Sequence, residues 1–344
     1  MDRRNLISPA NLTHNAGLIS SALDSIINPS AADLSLIHIK RRAMATNFEI
    51  SFPLGTKDAV LMAEDCLDLI SVLENQLSVY IEKSEMVRIN QNAGKHHVIV
   101  ESQLFGLLQK AKKLSEESNH GFDITAGKLI KLWGFFKGPK RVPCEVEIIN
   151  LLSTFGSESL ILEPDKKSVF FLKPEMEINL GAIGKGYALD RVKSLLLNKF
   201  GISTFMIHGG KSSILCGNSP QNQPKGWPIA INHPWKPNQK IATVFLKNRA
   251  LGISATTYNN FELNGIKYGH ILNPKTGYPA SGVATCVVAA PDATSADALS
   301  TAFFVLGTDA ATQYCEIHKE TGILILPENE KDQVLVVGNL AVEF

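Results

Sequence analysis

Two spacings of apolar residues organise the chain. From Lys57 to Leu77, the residues Val60, Ala63, Leu67, Ile70, Leu73 and Leu77 recur near the 3.6-residue period, which predicts a helix with one face turned to a core. The same spacing predicts helices over Gln103–Glu117, Glu145–Leu152, Tyr187–Asn198 and Ala296–Leu306, and a helical turn around Leu18–Ile27. Short apolar or alternating runs predict strands at Phe48–Phe52, Ser168–Leu172, Glu177–Leu180, Ile241–Leu246, Val283–Ala290, Ile323–Leu326 and Gln333–Val337. Pro53-Leu54-Gly55 stops the first strand, and Pro139–Pro143 is a breaker. The stretch Asn218–Pro237, rich in Pro, Asn, Gln and Trp, reads as a surface loop. Helices and strands intermix without βαβ alternation, so the fold class is α+β, with mixed sheets and packed helices. Residues 1–41 lack clear periodicity and read as an N-terminal extension ahead of a domain over 42–344.

Composition narrows the partners. Of 344 residues, 44% are hydrophobic and 19% charged, enough apolar material for a core and far from the signature of disorder. Lys plus Arg number 34 against 33 Asp plus Glu, so no bulk basic excess attracts nucleic acid and no single-sign field holds an acidic membrane. No run approaches the roughly 20 apolar residues of a spanning helix. The start MDRRNLISPANLTHNAGLIS has no continuous apolar segment of a signal peptide and no cysteine for a lipid anchor. The five cysteines are scattered, with no CxxC pair and no Cys/His cluster at zinc spacing. The expectation is a cytoplasmic protein without nucleic-acid binding or membrane insertion.

Three segments carry candidate chemistry. Asn179-Leu-Gly181-Ala182-Ile-Gly184-Lys185-Gly186-Tyr187 lies between a predicted strand and a predicted helix. Its glycines allow close backbone approach to an anion, with helix-terminal N–H groups and an ammonium aimed at it. Gly186 stands where a Walker loop would need Ser or Thr for magnesium, and the spacing is too short for that motif. In Thr294-Ser-Ala296-Asp297-Ala-Leu299-Ser300-Thr301, Asp297 and Thr301 share one helical face. That pair offers hard oxygens to a cation such as Mg²⁺, although an Asp near a helix start also serves plain dipole compensation. In Tyr268-Gly-His270-Ile-Leu-Asn273-Pro-Lys275-Thr-Gly277-Tyr-Pro279, a histidine precedes a turn and can act as acid or base. Two further segments are His208-Gly209-Gly210-Lys211-Ser212-Ser213, a second close-approach loop, and Gly121-Phe122-Asp123-Ile-Thr125 with Leu132-Trp133-Gly134-Phe135, which suits a flat heterocycle.

In their order along the chain, these segments resemble the ApbE family of FAD:protein FMN transferases. The resemblance starts at Met44-Ala-Thr46 and continues through Leu77-Ser-Val-Tyr80, Ser84-Glu85 and Asn90, then Phe122–Thr125 and Leu132–Phe135. It takes in Gly181–Gly186 with Asp190, Gly209-Gly210, His270–Pro279, and Ala296-Asp297-Ala with Thr301 and Gly307, covering about residues 42–310. It implies an ApbE-like architecture related to the T-fold, of two intertwined subdomains with the site between them.

The implied reaction is Mg²⁺-dependent. The FMN half of FAD passes to a Ser or Thr hydroxyl of a target protein, and AMP is released. The resemblance places the flavin nucleotide against Met44, Tyr80, Gly121, Phe122, Asp123, Asn179, Lys185 and His270. It places the metal on Asp297, Thr301 and an oxygen of Ala182, with His270 and Asp297 catalytic. FAD and a flavin-accepting protein are then the partners. Hydrolysis of FAD to FMN and AMP, or flavin binding without catalysis, are the alternatives. Many relatives carry Asp where this chain has Asn179, an acidic residue where it has Lys211-Ser212-Ser213, and Asp and Arg where it has Asn273 and Lys275.

Overall fold

The computed structural model describes residues 35–136, 138–236, 238–256, 260–328 and 333–344. The helical turn expected around Leu18–Ile27 lies outside them. Strands β1 (Leu36–Ala43) and β2 (Thr46–Pro53) form a hairpin closed by Met44-Ala45, so residues 36–41 of the stretch read as an extension belong to a strand. Helices α1 (Ala59–Leu77) and α2 (Glu85–Asn92) follow, then β3 (Val98–Ile99) and helices α3 (Ser102–Glu117), α4 (Gly127–Leu132) and α5 (Glu145–Leu152). β4 (Leu160–Glu163) and β5 (Ser168–Phe171) precede α6 (Gly184–Phe200). Next come β6 (Met206–Gly209), β7 (Ser213–Cys216), β8 (Trp227–Asn232), β9 (Lys240–Leu246) and β10 (Ala250–Ala255). The hairpin β11 (Asn260–Leu263) and β12 (Ile266–Gly269) leads to β13 (Val283–Ala290) and α7 (Ala293–Ile317). β14 (Gly322–Pro327), β15 (Leu335–Gly338) and β16 (Val342–Glu343) close the chain.

Eight strands form an antiparallel sheet in the order β1-β2-β6-β7-β10-β13-β14-β15. Helices α1, α6 and α7 cover one face, and the smaller sheet β16-β9-β8 covers the other. β13 shows why its sequence is an unbroken apolar run. Cys286, Val288 and Ala290 join the helical core, whereas Val287 and Ala289 pack with Trp227, Ile229 and Val244 of the second layer. A strand buried on both faces has no polar alternation to show. The mixed layers agree with the α+β reading.

Three sequence expectations shift. Glu177–Leu180 is extended but forms no strand beyond a single bridge from Ala126 to Glu177. The Asn90 side chain takes the neighbouring strand's place, accepting from the Ile178 N–H at 2.8 Å and donating to its carbonyl at 2.9 Å. The Asn218–Pro237 segment contains β8, whose Trp227, Ile229 and Ile231 are buried in alternation. Its Pro228 is tolerated because β8 is an edge strand. The expected helix end at Leu306 marks a real bend: Gly307 adopts φ +77°, after which α7 resumes to Ile317.

Candidate active site

A cleft of about 660 Å³ opens where the hairpin turn Met44-Ala45, the N-terminus of α6, the β6–β7 loop, the end of β10 and the first turns of α7 meet. Met44, Tyr80, Gly121, Phe122, Asp123, Asn179, Ala182, Lys185, His270, Asp297 and Thr301 all line it. Residues spread from position 44 to 301 thus converge on one cavity. Gly209, Gly210, Lys211 and Ser212 add a further wall, and Phe135 another.

The α6–α7 junction fixes the geometry. Gly186 leaves no room for a side chain, since a Cβ there would lie 2.1 Å from the Ala293 carbonyl oxygen. Gly252 of β10 passes the next turn of α7 as closely, 2.2 Å from the Ala296 carbonyl by the same measure. Asp190 on α6 holds the start of α7, accepting from the Ala293 and Thr294 N–H groups at 2.8 Å each. Asp292 caps the same helix through the Ser295 N–H and pairs with Lys110 at 2.7 Å. Burial and the neighbouring Asp292 push the Asp190 carboxyl up to about 6.

Asp297 is buried, only 6% exposed. Its Oδ2 accepts from the Gly186 N–H at 2.7 Å and from Ser213 Oγ at 3.0 Å. No hydrogen bond reaches Oδ1 among the described residues. Burial pushes the carboxyl upward, opposed by the Lys185 charge and these two hydrogen bonds. The Gly186 N–H lies in the first turn of α6 and has no acceptor within the helix. It is spent on Asp297, and no backbone N–H among the described residues claims the Ala182 carbonyl. Thr301 Oγ1 donates to the Asp297 carbonyl at 3.3 Å, which leaves its lone pairs open.

The other expected residues divide by orientation. Asp123 is turned into its own loop: Oδ1 accepts from the Thr125 N–H and hydroxyl at 2.8 and 2.6 Å, and Oδ2 from the Ser157 N–H at 3.0 Å. Burial raises its pKa despite these bonds. Asn179 Oδ1 accepts from the Gly181 N–H at 2.8 Å, which fixes the amide orientation and shapes the Gly-rich turn. Tyr80 stacks on Phe136 with ring centroids 4.4 Å apart, and Phe135 meets His270 edge-on at 6.4 Å. The sequence places Ser213 only at the end of a close-approach loop and assigns it no role, because there it looks like one polar residue in a Ser-rich turn. Only the packing of β7 against α7 gives it a partner.

The donors available to a metal are one carboxylate, one hydroxyl and one carbonyl. No group of three His, Cys, Asp or Glu placed to hold a metal ion occurs among the described residues. Hard oxygens without thiolate or imidazole fit Mg²⁺, which completes its octahedron with water and substrate phosphates.

A lysine at a helix N-terminus and a buried carboxylate with one open oxygen thus face the same cavity. Residues 44–325 match the ApbE family, and the chain belongs to it. Its relatives include an FAD:protein FMN transferase of Klebsiella pneumoniae, 31% identical over 72% of this chain and 76% of that one. Another, of Haemophilus influenzae, is 27% identical over 90% of this chain and 92% of that one. The crystal structure of the ApbE protein of Thermotoga maritima superposes with a TM-score of 0.78 at 28% identity, covering 89% of this chain and 96% of that one. The flavin transferase ApbE of Vibrio cholerae has the same fold, with a TM-score of 0.78 at 24% identity over 88% and 97% of the two chains. Among the described residues, no helix is long and apolar enough to cross a membrane.

Proposed function

We propose that this chain is an FAD:protein FMN transferase that uses Mg²⁺ to move the FMN half of FAD onto a Ser or Thr hydroxyl of a target protein, releasing AMP. The convergence of eleven sequence-predicted residues on one cleft carries this reading. The relatives' shared name supports the flavin chemistry. Five unpaired cysteines support a reducing, cytoplasmic setting.

In this reading the acceptor oxygen attacks the FMN-side phosphorus of the diphosphate. The bond from that phosphorus to the bridging oxygen breaks, and AMP departs with the bridging oxygen. Asp297, Thr301 and the Ala182 carbonyl would hold the cation, which would supply charge neutralisation at the diphosphate. Lys185 and the α6 N-terminus hold the phosphates. His270 takes the hydroxyl proton. Met44, Tyr80, Phe122 and the Gly121 backbone line the space for the flavin ring. Asp123 serves by fixing that loop, since Oδ1 is engaged within it and Oδ2 ties it to the Ser157 N–H.

Incubation of the full chain with FAD and Mg²⁺, with and without a Ser/Thr-bearing acceptor, tests the proposal. AMP together with FMN-modified acceptor is expected. AMP with free FMN in equal amounts, whether or not acceptor is present, means hydrolysis. Bound FAD without AMP means a binding protein.

A further inference from the structure

The β6–β7 loop does more than wall the cleft. Ser213, the first residue of β7, is fully buried and does not line the cavity, yet its hydroxyl donates to Asp297 Oδ2 at 3.0 Å. The Gly186 N–H, from the first turn of α6, reaches the same oxygen at 2.7 Å. A single hydrogen bond lets a carboxylate swing about the N–H···O axis. Two donors from different elements hold its plane. They also use the lone pairs of Oδ2, so the second oxygen keeps all its accepting capacity. An open oxygen on a buried carboxylate calls for a ligand.

We propose that Ser213 is a positioning residue: its hydroxyl fixes the plane of the Asp297 carboxylate so that Oδ1 is presented to the divalent cation. This rests on the reading of Asp297 as a metal ligand. Ser213 itself touches neither cation nor nucleotide. Its action on metal therefore passes through Asp297, and it has no direct route to FAD affinity.

The test uses the full chain, Mn²⁺ as the metal probe, and ADP as a diphosphate lacking the flavin. Bound Mn²⁺ is followed by loss of the free-ion electron paramagnetic resonance signal. Ser213→Ala is expected to fold, with a modestly lower metal-free melting temperature than the wild type, and to raise the half-saturating Mn²⁺ concentration roughly tenfold, near the low end for a hydrogen bond to a charged group. Ser213→Cys, which keeps the volume but donates weakly, is expected to fall between them; it carries the comparison if the alanine variant does not fold. The Mg²⁺ concentration for half-maximal AMP release from FAD should rise by the same factor, with KM for FAD at saturating Mg²⁺ unchanged. Wild-type Mn²⁺ binding in folded Ser213 variants, beside lost binding in Asp297→Ala, overturns the proposal and leaves the metal reading standing. Undiminished Mn²⁺ binding in Asp297→Ala overturns both.

Discussion

Asp297 Oδ2 accepts the Gly186 N–H at 2.7 Å, across 111 positions of chain. This one bond ties the helix carrying Lys185 to the helix carrying Thr301. The nearby Ala182 carbonyl takes no backbone N–H among the described residues. A lysine, a carboxylate, a hydroxyl and an open carbonyl are thereby brought to one cavity by two helix starts packed with no side chain between them.

That packing makes Gly186 the position least able to change. Replacing a helical Gly by Ala ordinarily stabilises by about 1 kcal/mol. Here the new Cβ would lie 2.1 Å from the Ala293 carbonyl oxygen, a backbone atom that cannot turn aside. Overpacking of this kind costs about 3 kcal/mol, so the steric term wins. Gly186→Ala is expected to lower the chemical-denaturation midpoint and to impair metal-dependent turnover with it. An unchanged midpoint would show that the helices can separate at no cost.

Lys185 lines the cleft at the α6 N-terminus, and its charge acts on Asp297. Lys185→Met removes the ammonium while keeping most of the aliphatic stem. FAD affinity should fall by tenfold or more, as expected for a charge-assisted contact with phosphate. Riboflavin affinity, measured in parallel by fluorescence quenching, should barely move. Equal losses for both ligands would place the lysine against the ring.

The sequence pattern exposed the long amphipathic helices, the apolar run of β13 and the Gly-rich, Asp297 and His270 segments, while the family resemblance added Met44, Tyr80 and the Ala182 oxygen to the residues that meet in the cleft. Three kinds of feature stayed hidden. β8 was obscured by Pro228, which is admissible only because that strand ends up at an edge. Glu177–Leu180 has strand composition, but it meets Ile124 and Gly127 through only two backbone hydrogen bonds, and Ile178 between them is paired by the Asn90 side chain, 88 positions away. Ser213 acquires meaning only from its bond to Asp297, a matter of packing that no local spacing encodes. Asn179 looked like a binding residue changed from a carboxylate. Its oxygen is committed to the Gly181 N–H, a task an Asp oxygen performs equally well.

His270 is expected to act on the rate more than on binding. His270→Asn should reduce AMP release by roughly 10²–10⁴-fold, the usual contribution of a positioned acid or base, with FAD affinity changed far less. A rate loss below tenfold would demote His270 to a binding residue.

A second group of residues governs acid stability away from the proposed chemistry. Burial alone would raise the pKa of Glu49. His208 Nε2 at 3.9 Å and His38 Nδ1 at 2.8 Å outweigh it and hold the carboxyl at about 2, against an ordinary 4.5. The folded state thus favours the carboxylate, so its contribution is complete above pH 4.5 and is lost as pH falls toward 2. For a residue 2% exposed, that contribution is roughly 3 kcal/mol. Melting temperatures of the wild type should drop through this window more steeply than those of Glu49→Gln. Parallel curves would contradict the assignment.

AMP release from FAD, measured by chromatography for the wild type and Asp297→Ala with Mg²⁺ and with excess chelator, tests metal-dependent cleavage in this cleft most directly. Release is expected only from the wild type with Mg²⁺, while both proteins keep the same fold by circular dichroism. AMP appearing at the wild-type rate from chelated enzyme, or from folded Asp297→Ala, would contradict it.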